Sequence, residues 1–475
     1  MTQPFLAAAL LCLGTPALAA DQTQLSRQVQ EFVSVNAPIV ALTNARVIDG
    51  TGAPARENQT VVIADGVIRE IGDSGSVDVP AEATVLDLTG KTLVPGFVML
   101  HEHMFYPAGD GNYHELAFSF PRLYLAGGVT TIRTGGSMHP YADLNLKRAI
   151  DAGRVPGPKM NVTGPYLEGP GLPILGVKAL RGPDDARNMV AYWADEGVES
   201  FKAYMHISRA ELGAAIEEAH RRGIKVTGHL CSVTYREAAD LGIDNLEHGF
   251  VASSDFVQDK QEDQCPPGNA VQRSLMDVDV DDPQVRDLIQ HLVRRGVALT
   301  STLTVFETFT PGRPPASTGA LDAMLPASRD QYLRRRAQIA VQTQSPWSSL
   351  FPKVMQLELA FARAGGLLVV GTDPTGYGGV VAGFANQRAI TLLVEAGFSA
   401  VEAISIATLN GARYLGVADR VGTIEVGKQA DLAVVRGNPA AVIRDIGNVE
   451  LVFKDGVGYD SARLIQSAKN IVGLR

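Results

Sequence analysis

The chain has 475 residues, 45% of them apolar and 6% aromatic, with 48 glycines. That length holds one large α/β domain and a smaller companion, and the composition excludes a disordered or fibrous protein. Lys and Arg total 42 against 51 Asp and Glu, and the resulting formal charge of −9 is spread without long like-charge blocks, which argues against nucleic acid as a partner.

The N-terminus, MTQPFLAAALLCLGTPALAADQ, carries an apolar run, then the helix breaker Pro16, then the small-x-small pattern Ala17-Leu18-Ala19. The expectation is a signal peptide over residues 1–20, cleaved near Ala19 or Ala20, which sends the mature chain to the periplasm or out of the cell. The run is too short to span a bilayer, so no stable membrane anchor is expected. Its removal leaves Cys231 and Cys265, both in or near loops of one face, which could pair in an oxidising compartment.

Residues 39–90 read as short strands, IVALTNARVIDG, TVVIADGVIREIG and ATVLDLTG, separated by Gly, Pro and Asp turns. The same texture returns within residues 418–460 in GTIEVGKQADLAVVRG and VELVFKDGVGYD. The two stretches are expected to combine into one small β-sandwich domain.

Residues 91–417 alternate apolar runs with helical patterns such as RAELGAAIEEAHRRG. Strands are expected near Phe97–His101, Val129–Arg133, Lys159–Thr163, Ser200–Ala203, Lys225–His229, Asn245–His248, Ala298–Thr302 and Leu367–Thr372. Eight parallel strands with intervening helices give an α/β fold class, a (β/α)8 TIM barrel carrying the small sandwich. The connections after the sixth and seventh strands are longer than a barrel needs, and the second, Leu303 to Gly366, contains two expected helices. Long insertions on a catalytic face usually shape substrate access.

Six residue positions at the ends of these strands carry the chemistry: His101 and His103 in FVMLHEH, Lys202 in ESFKAYM, His229 in IKVTGHL, His248 in DNLEHGF and Asp373 in LLVVGTDP. A barrel gathers the C-terminal ends of distant strands on one face. Strand alternation puts His101 and His103 on one side and Glu102 on the other. Singly, each has an ordinary reading: the histidine pair as core residues, His248 as a polar residue at a helix start, Asp373 as an N-cap. Together, four imidazoles, a carboxylate and a lysine imply a two-metal hydrolase.

Lys202 alone could be a snorkelling or ion-paired lysine. As an ammonium it cannot ligate a cation, but burial and nearby positive charge lower its pKa, and the neutral amine can take up CO2 to become an anionic carbamate bridge. Zinc is the default ion for mixed nitrogen and oxygen donors, with manganese and cobalt able to occupy the same set.

The order His-x-His, Lys, His, His, Asp on strands one, four, five, six and eight, with VPGFVMLHEH, AGGVTTIRTGG, LEHGF and GTDP around it, resembles the metal-dependent amidohydrolase superfamily. The likeness is to its imidazolonepropionase-like and prolidase-like branch, over roughly residues 39–460. The resemblance implies two divalent ions, one held by His101, His103 and Asp373 and one by His229 and His248, with carboxylated Lys202 between them and a shared hydroxide as attacking group. It also implies that Asp373 acts as general base as well as ligand.

The implied reaction is hydrolysis of an amide bond in a small substrate, a dipeptide or N-acyl amino acid. A cyclic amidase, lactonase or deaminase is the alternative within the superfamily. His206, four residues beyond Lys202, and Tyr235, six beyond His229, lie on expected loops and could hydrogen-bond a substrate carbonyl or carboxylate. His139 and His114 are also on loops, whereas His220 and His291 fall in amphipathic helices outside the site. A non-catalytic barrel binding protein would be expected to lose ligands, and a sugar-handling barrel to show paired catalytic acids. A homo-oligomer is compatible with the sequence.

Overall fold

The computed structural model describes residues 25–109, 112–172 and 176–474, so the expected signal peptide lies outside the described residues. All eight expected parallel strands form, at Phe97–Glu102, Val129–Thr134, Lys159–Asn161, Ser200–Ala203, Lys225–Gly228, Asn245–Glu247, Ala298–Ser301 and Leu368–Val370. They pair in parallel as two sheets, one of three strands with the second in the middle and one of five running from the fourth to the eighth in chain order. A parallel bridge from Thr163 to Ser200 links the third strand to the fourth. At the other join, the N–H groups of Thr372 and Asp373 donate to the carbonyl of His101 at 3.1 and 3.0 Å. Most strand positions are buried, as in parallel strands covered by helices, with Lys159, Asn161 and Lys225 half-buried and the charged residues among them taken up below.

Local signals set the helices between them. Ser208 and Glu211 form a capping box at the start of Arg209–Arg221, whose Leu212, Ala215, Ile216 and Ala219 face the strands. Thr234 and Glu237 do the same for Tyr235–Leu241, which Gly242 ends in the left-handed conformation at φ 95°. The connection after the seventh strand holds four helices instead of the two expected, Leu303–Phe309, Thr318–Ala323, Pro326–Ala340 and Trp347–Arg363. Among the described residues, no helix is long and apolar enough to cross a membrane.

The β-rich segments from the two ends of the chain share one nine-stranded sheet. Leu432–Arg436 pairs antiparallel with Lys91–Pro95, and Ile39–Val47 pairs with three neighbours, so the sheet branches. Val40, Leu42, Val61 and Ile63 from the first segment pack with Leu432, Val434 and Phe453 from the second in one core. The sheet runs past the expected bounds, because Val33–Val35 pairs with Val457–Asp460. A further helix, Ser461–Ser467, buries Leu464 against Val29 and Phe32.

Candidate metal centre

The strand ends bring all six sequence-derived ligand positions to one buried nest. Lys202 Nζ lies 3.1 Å from His101 Nε2. Asp373 Oδ1 lies 3.3 Å from His103 Nε2 and 3.7 Å from His101 Nε2. The ring centre of His248 is 4.6 Å from that of His101 and 4.4 Å from that of His229. Donor atoms of His101, His103 and Asp373 all fall within 4.8 Å of one another.

Hydrogen bonds at the far side of each ring fix which nitrogen faces inward. His103 Nδ1 lies 3.1 Å from the Gly136 carbonyl, which can only accept, so the ring proton is there and Nε2 carries a lone pair. His101 Nδ1 likewise donates to Glu247 Oε2 at 2.7 Å. Burial holds His103 down to about 4, so it is neutral at neutral pH. The nest therefore points two lone pairs and a carboxylate oxygen at one another. Within the protein only the Lys202 amine, 3.1 Å from His101 Nε2, can donate into that arrangement, and a bound cation would relieve the rest of its repulsion. His248 differs: its Nδ1 lies 2.9 Å from the Thr302 hydroxyl, which can donate or accept, and 3.7 Å from Asp373 Oδ2, while the buried Nε2 has no protein partner. On these observations the residues fit a metal site.

The carboxylates around the nest are divided by environment. Burial alone would raise Glu247, but Arg133, His101 and Lys202 hold it well below the usual carboxylate range. Arg133 Nη2 donates to Glu247 Oε1 at 2.6 Å, which completes a buried Arg133–Glu247–His101 chain. Burial would raise Asp373 too, and it is offset only where the facing His103, His101 and His248 rings donate to it or carry positive charge, a part that a bound cation would take over. Glu102 points away from the nest, as strand alternation required, and burial lifts it to about 8 while Thr372 and Asn386 donate to it. Burial also lowers Lys202 to about 8.

Backbone strain marks the same place. His248 and Asp373 adopt φ of 67° and 51°, a left-handed conformation that costs a non-glycine residue of order 1 kcal/mol. Both sit where a strand must turn sharply to aim its side chain inward.

Neither expected substrate-contact residue is in the cavity lining. Tyr235 is fully buried at the first position of its helix, and its hydroxyl donates to the carbonyls of Glu247 and Gly249 at 3.1 and 2.9 Å. It braces the turn that bears His248 and cannot reach a substrate. His206 is tied to Glu168, with its backbone N–H at 2.8 Å and Nδ1 at 3.1 Å from Oε1, and lies outside the cavity lining. His139 does line the cavity. His114 is held by the Gly473 carbonyl, and His220 and His291 pair with Asp244 and Asp240 at the surface.

Sequence reasoning missed Glu247 and Arg133, although both lie in the LEHGF and TTIRTGG motifs beside the ligands. Charged residues on strands that must be buried are the signal that could have found them. It also missed the disulfide's role: Cys231 and Cys265 are bonded, and both line the cavity over the nest.

A family model described as "Amidohydrolase family" matches residues 92–458. Imidazolonepropionase from Nocardia farcinica is 38% identical over 98 residues, which is 20% of this chain and 24% of that protein. The chain thus matches about a quarter of the length of that curated relative. A solved structure described as a putative prolidase from Bifidobacterium longum covers 90% of this chain and 98% of its own at 26% identity, with a TM-score of 0.63. A Xaa-Pro dipeptidase with bound methionine shares the fold at 20% identity, with a TM-score of 0.67 and coverage of 89% and 100%. With a match that spans every ligand-bearing strand and re-enters the mixed sheet, the chain belongs to the amidohydrolase family, whose fold is a TIM barrel.

Proposed function

We propose that the protein is an exported, binuclear metal-dependent hydrolase that cuts a peptide-like C–N bond in a small molecule. The observation that carries this reading is the set of inward lone pairs on His101 and His103 facing Asp373 Oδ1. The two parallel sheets are read as halves of one closed eight-stranded barrel, and the mixed sheet as its small sandwich companion.

His101, His103 and Asp373 would hold one divalent cation and His229 and His248 the other. Lys202 would bridge them as a carbamate, since burial lowers its amine toward a range where the neutral, CO2-reactive form is populated. Bound cations supply an acidified water and a polarised carbonyl, and zinc suits these donors. The ionised Asp373 carboxylate takes a proton from the attacking water and passes it to the departing amine nitrogen. Arg133 and Glu247 lock the His101 ring so that its lone pair stays aimed inward.

The likeness to a protein described as a putative prolidase supports a peptide-like bond. The Cys231–Cys265 bond supports export, because such bonds persist in oxidising compartments. Chelation should abolish amide hydrolysis, and added zinc should restore it with about two ions per chain by metal analysis. Full turnover by a metal-free protein would sink the proposal.

A further inference from the structure

The cavity above the nest has a volume of about 690 Å³. That lies in the upper part of the roughly 300–1,000 Å³ range of sites that enclose drug-sized ligands. Its walls are aromatic and lead outward from the ligands in connected runs. His248 faces Phe306 at 6.0 Å, Phe306 stacks on Trp347 at 5.2 Å with planes 14° apart, and Phe309 follows at 5.4 Å. On another side His103 stacks on Phe105 at 4.2 Å, with Tyr113 5.5 Å beyond. A third run passes from His229 through Tyr204 to Tyr166 in two steps of 4.9 Å.

The charges are as telling. Outside the nest, the described lining contains no lysine, no arginine and no acid, and His139 is its one further ionisable nitrogen. Three arginines near the cavity are engaged elsewhere, Arg335 over Tyr377 and Arg313 and Arg388 with Glu307 and Glu395, and Arg273 and Lys178, next in sequence to lining residues, are not themselves in the described lining. Away from the nest, a free carboxylate entering these walls would lose its hydration with only His139 to receive it, and a free ammonium would find no acid short of Asp373, which the reaction needs. A flat apolar group instead meets ring faces that gain from being covered.

Resting on the amide-hydrolase reading, we infer that the substrate is a neutral amide bearing a large aromatic or apolar group beside the scissile bond, and is neither a free dipeptide nor an N-acyl amino acid. This narrows the class expected from sequence, where the ligand set was legible but the cavity was not.

The test compares N-benzoylphenylalanine with N-benzoyl-2-phenylethylamine, which differ only in the carboxylate. Hydrolysis is measured on the zinc-loaded enzyme. Binding is measured independently through Trp347 fluorescence in a Trp193→Phe background, since the chain has two tryptophans and Trp193 lies outside the lining. The neutral amide should bind at least about tenfold more tightly and show at least about tenfold higher kcat/KM. Gln272→Arg, which adds a cation to the wall, should narrow both preferences. Preferential binding of the neutral amide without cleavage of either compound would remove the hydrolase reading and leave the pocket assignment standing. Equal or tighter binding of the acid, or no binding of either, overturns the inference even if amides are cleaved.

Discussion

Two lysines on adjacent parallel strands have opposite surroundings. Lys159 opens the third strand at the end facing the mixed sheet, where its Nζ lies 2.9 Å from Asp431, 2.7 Å from Asp455 and 2.8 Å from Gln429. Lys202 sits near the close of the fourth, with Nζ 3.1 Å from a histidine nitrogen. Burial opposes the charge on both, but Asp431 and Asp455 carry Lys159 above the ordinary lysine range, whereas Lys202 falls to about 8. One end of the strands thus uses lysine as a fixed cation that joins two units. The other end keeps it poorly compensated and open to chemistry, as expected of the catalytic face of a barrel.

The sharpest way to break this contrast is at the reactive end. Asp373→Asn should lower turnover about 10³-fold or more while leaving circular dichroism unchanged, because the amide keeps the shape but cannot accept the proton. Near-normal turnover in a folded, metal-loaded variant would remove Asp373 from the reaction. Next in size, Lys202→Ala should lose bound metal and on the order of 10²-fold in activity, with small carboxylic acids partly restoring both. Two ions retained without any added acid would refute the bridge.

A smaller effect is expected one layer out. Glu247→Gln should weaken metal affinity by about 10–100-fold in chelator competition, through loss of the carboxylate that orients His101. Unchanged affinity would make the Arg133–Glu247 pair purely structural. The smallest effect on activity belongs to the other end: Lys159→Met should leave metal content and kcat near normal while costing about 3 kcal/mol of stability, read as a lowered thermal midpoint. Because its folded pKa is raised, the Lys159 contribution is fully present below the ordinary lysine value of about 10.4 and is lost as pH rises through the folded value. Metal loss in Lys159→Met would erase the distinction between the two ends.

The eight strands were legible as short, largely apolar runs between helical patterns, and five of them end at or beside a residue rarely buried unless it faces a site. The six candidate ligands were legible for that reason, since position at a strand end is a local property. Arg133 and Glu247 were not, because their partners, each other and His101, lie 114 and 146 residues away along the chain. Tyr235 was misread since a residue shortly after a ligand-bearing strand looks like a loop residue, while the Thr234–Glu237 box makes it the start of a helix and turns its ring inward. The aromatic wall was hidden for another reason. Phe306, Phe309 and Trp347 come from two helices of a long connection, and only tertiary packing sets which of their faces lines the cavity.

The Cys231–Cys265 bond ties the turn just beyond His229 to the long connection after the sixth strand, across a sequence separation of 34. Closing a loop of that length restricts the unfolded chain by up to about 4 kcal/mol in the entropic account. Of the candidate metal ligands only His229 lies close to this tether in sequence, whereas both cysteines belong to the cavity wall. Recombinant material made in a reducing cytosol is therefore expected to load metal normally yet to present a frayed wall and poor selectivity among amides, so the host compartment chosen for production becomes an experimental variable in its own right.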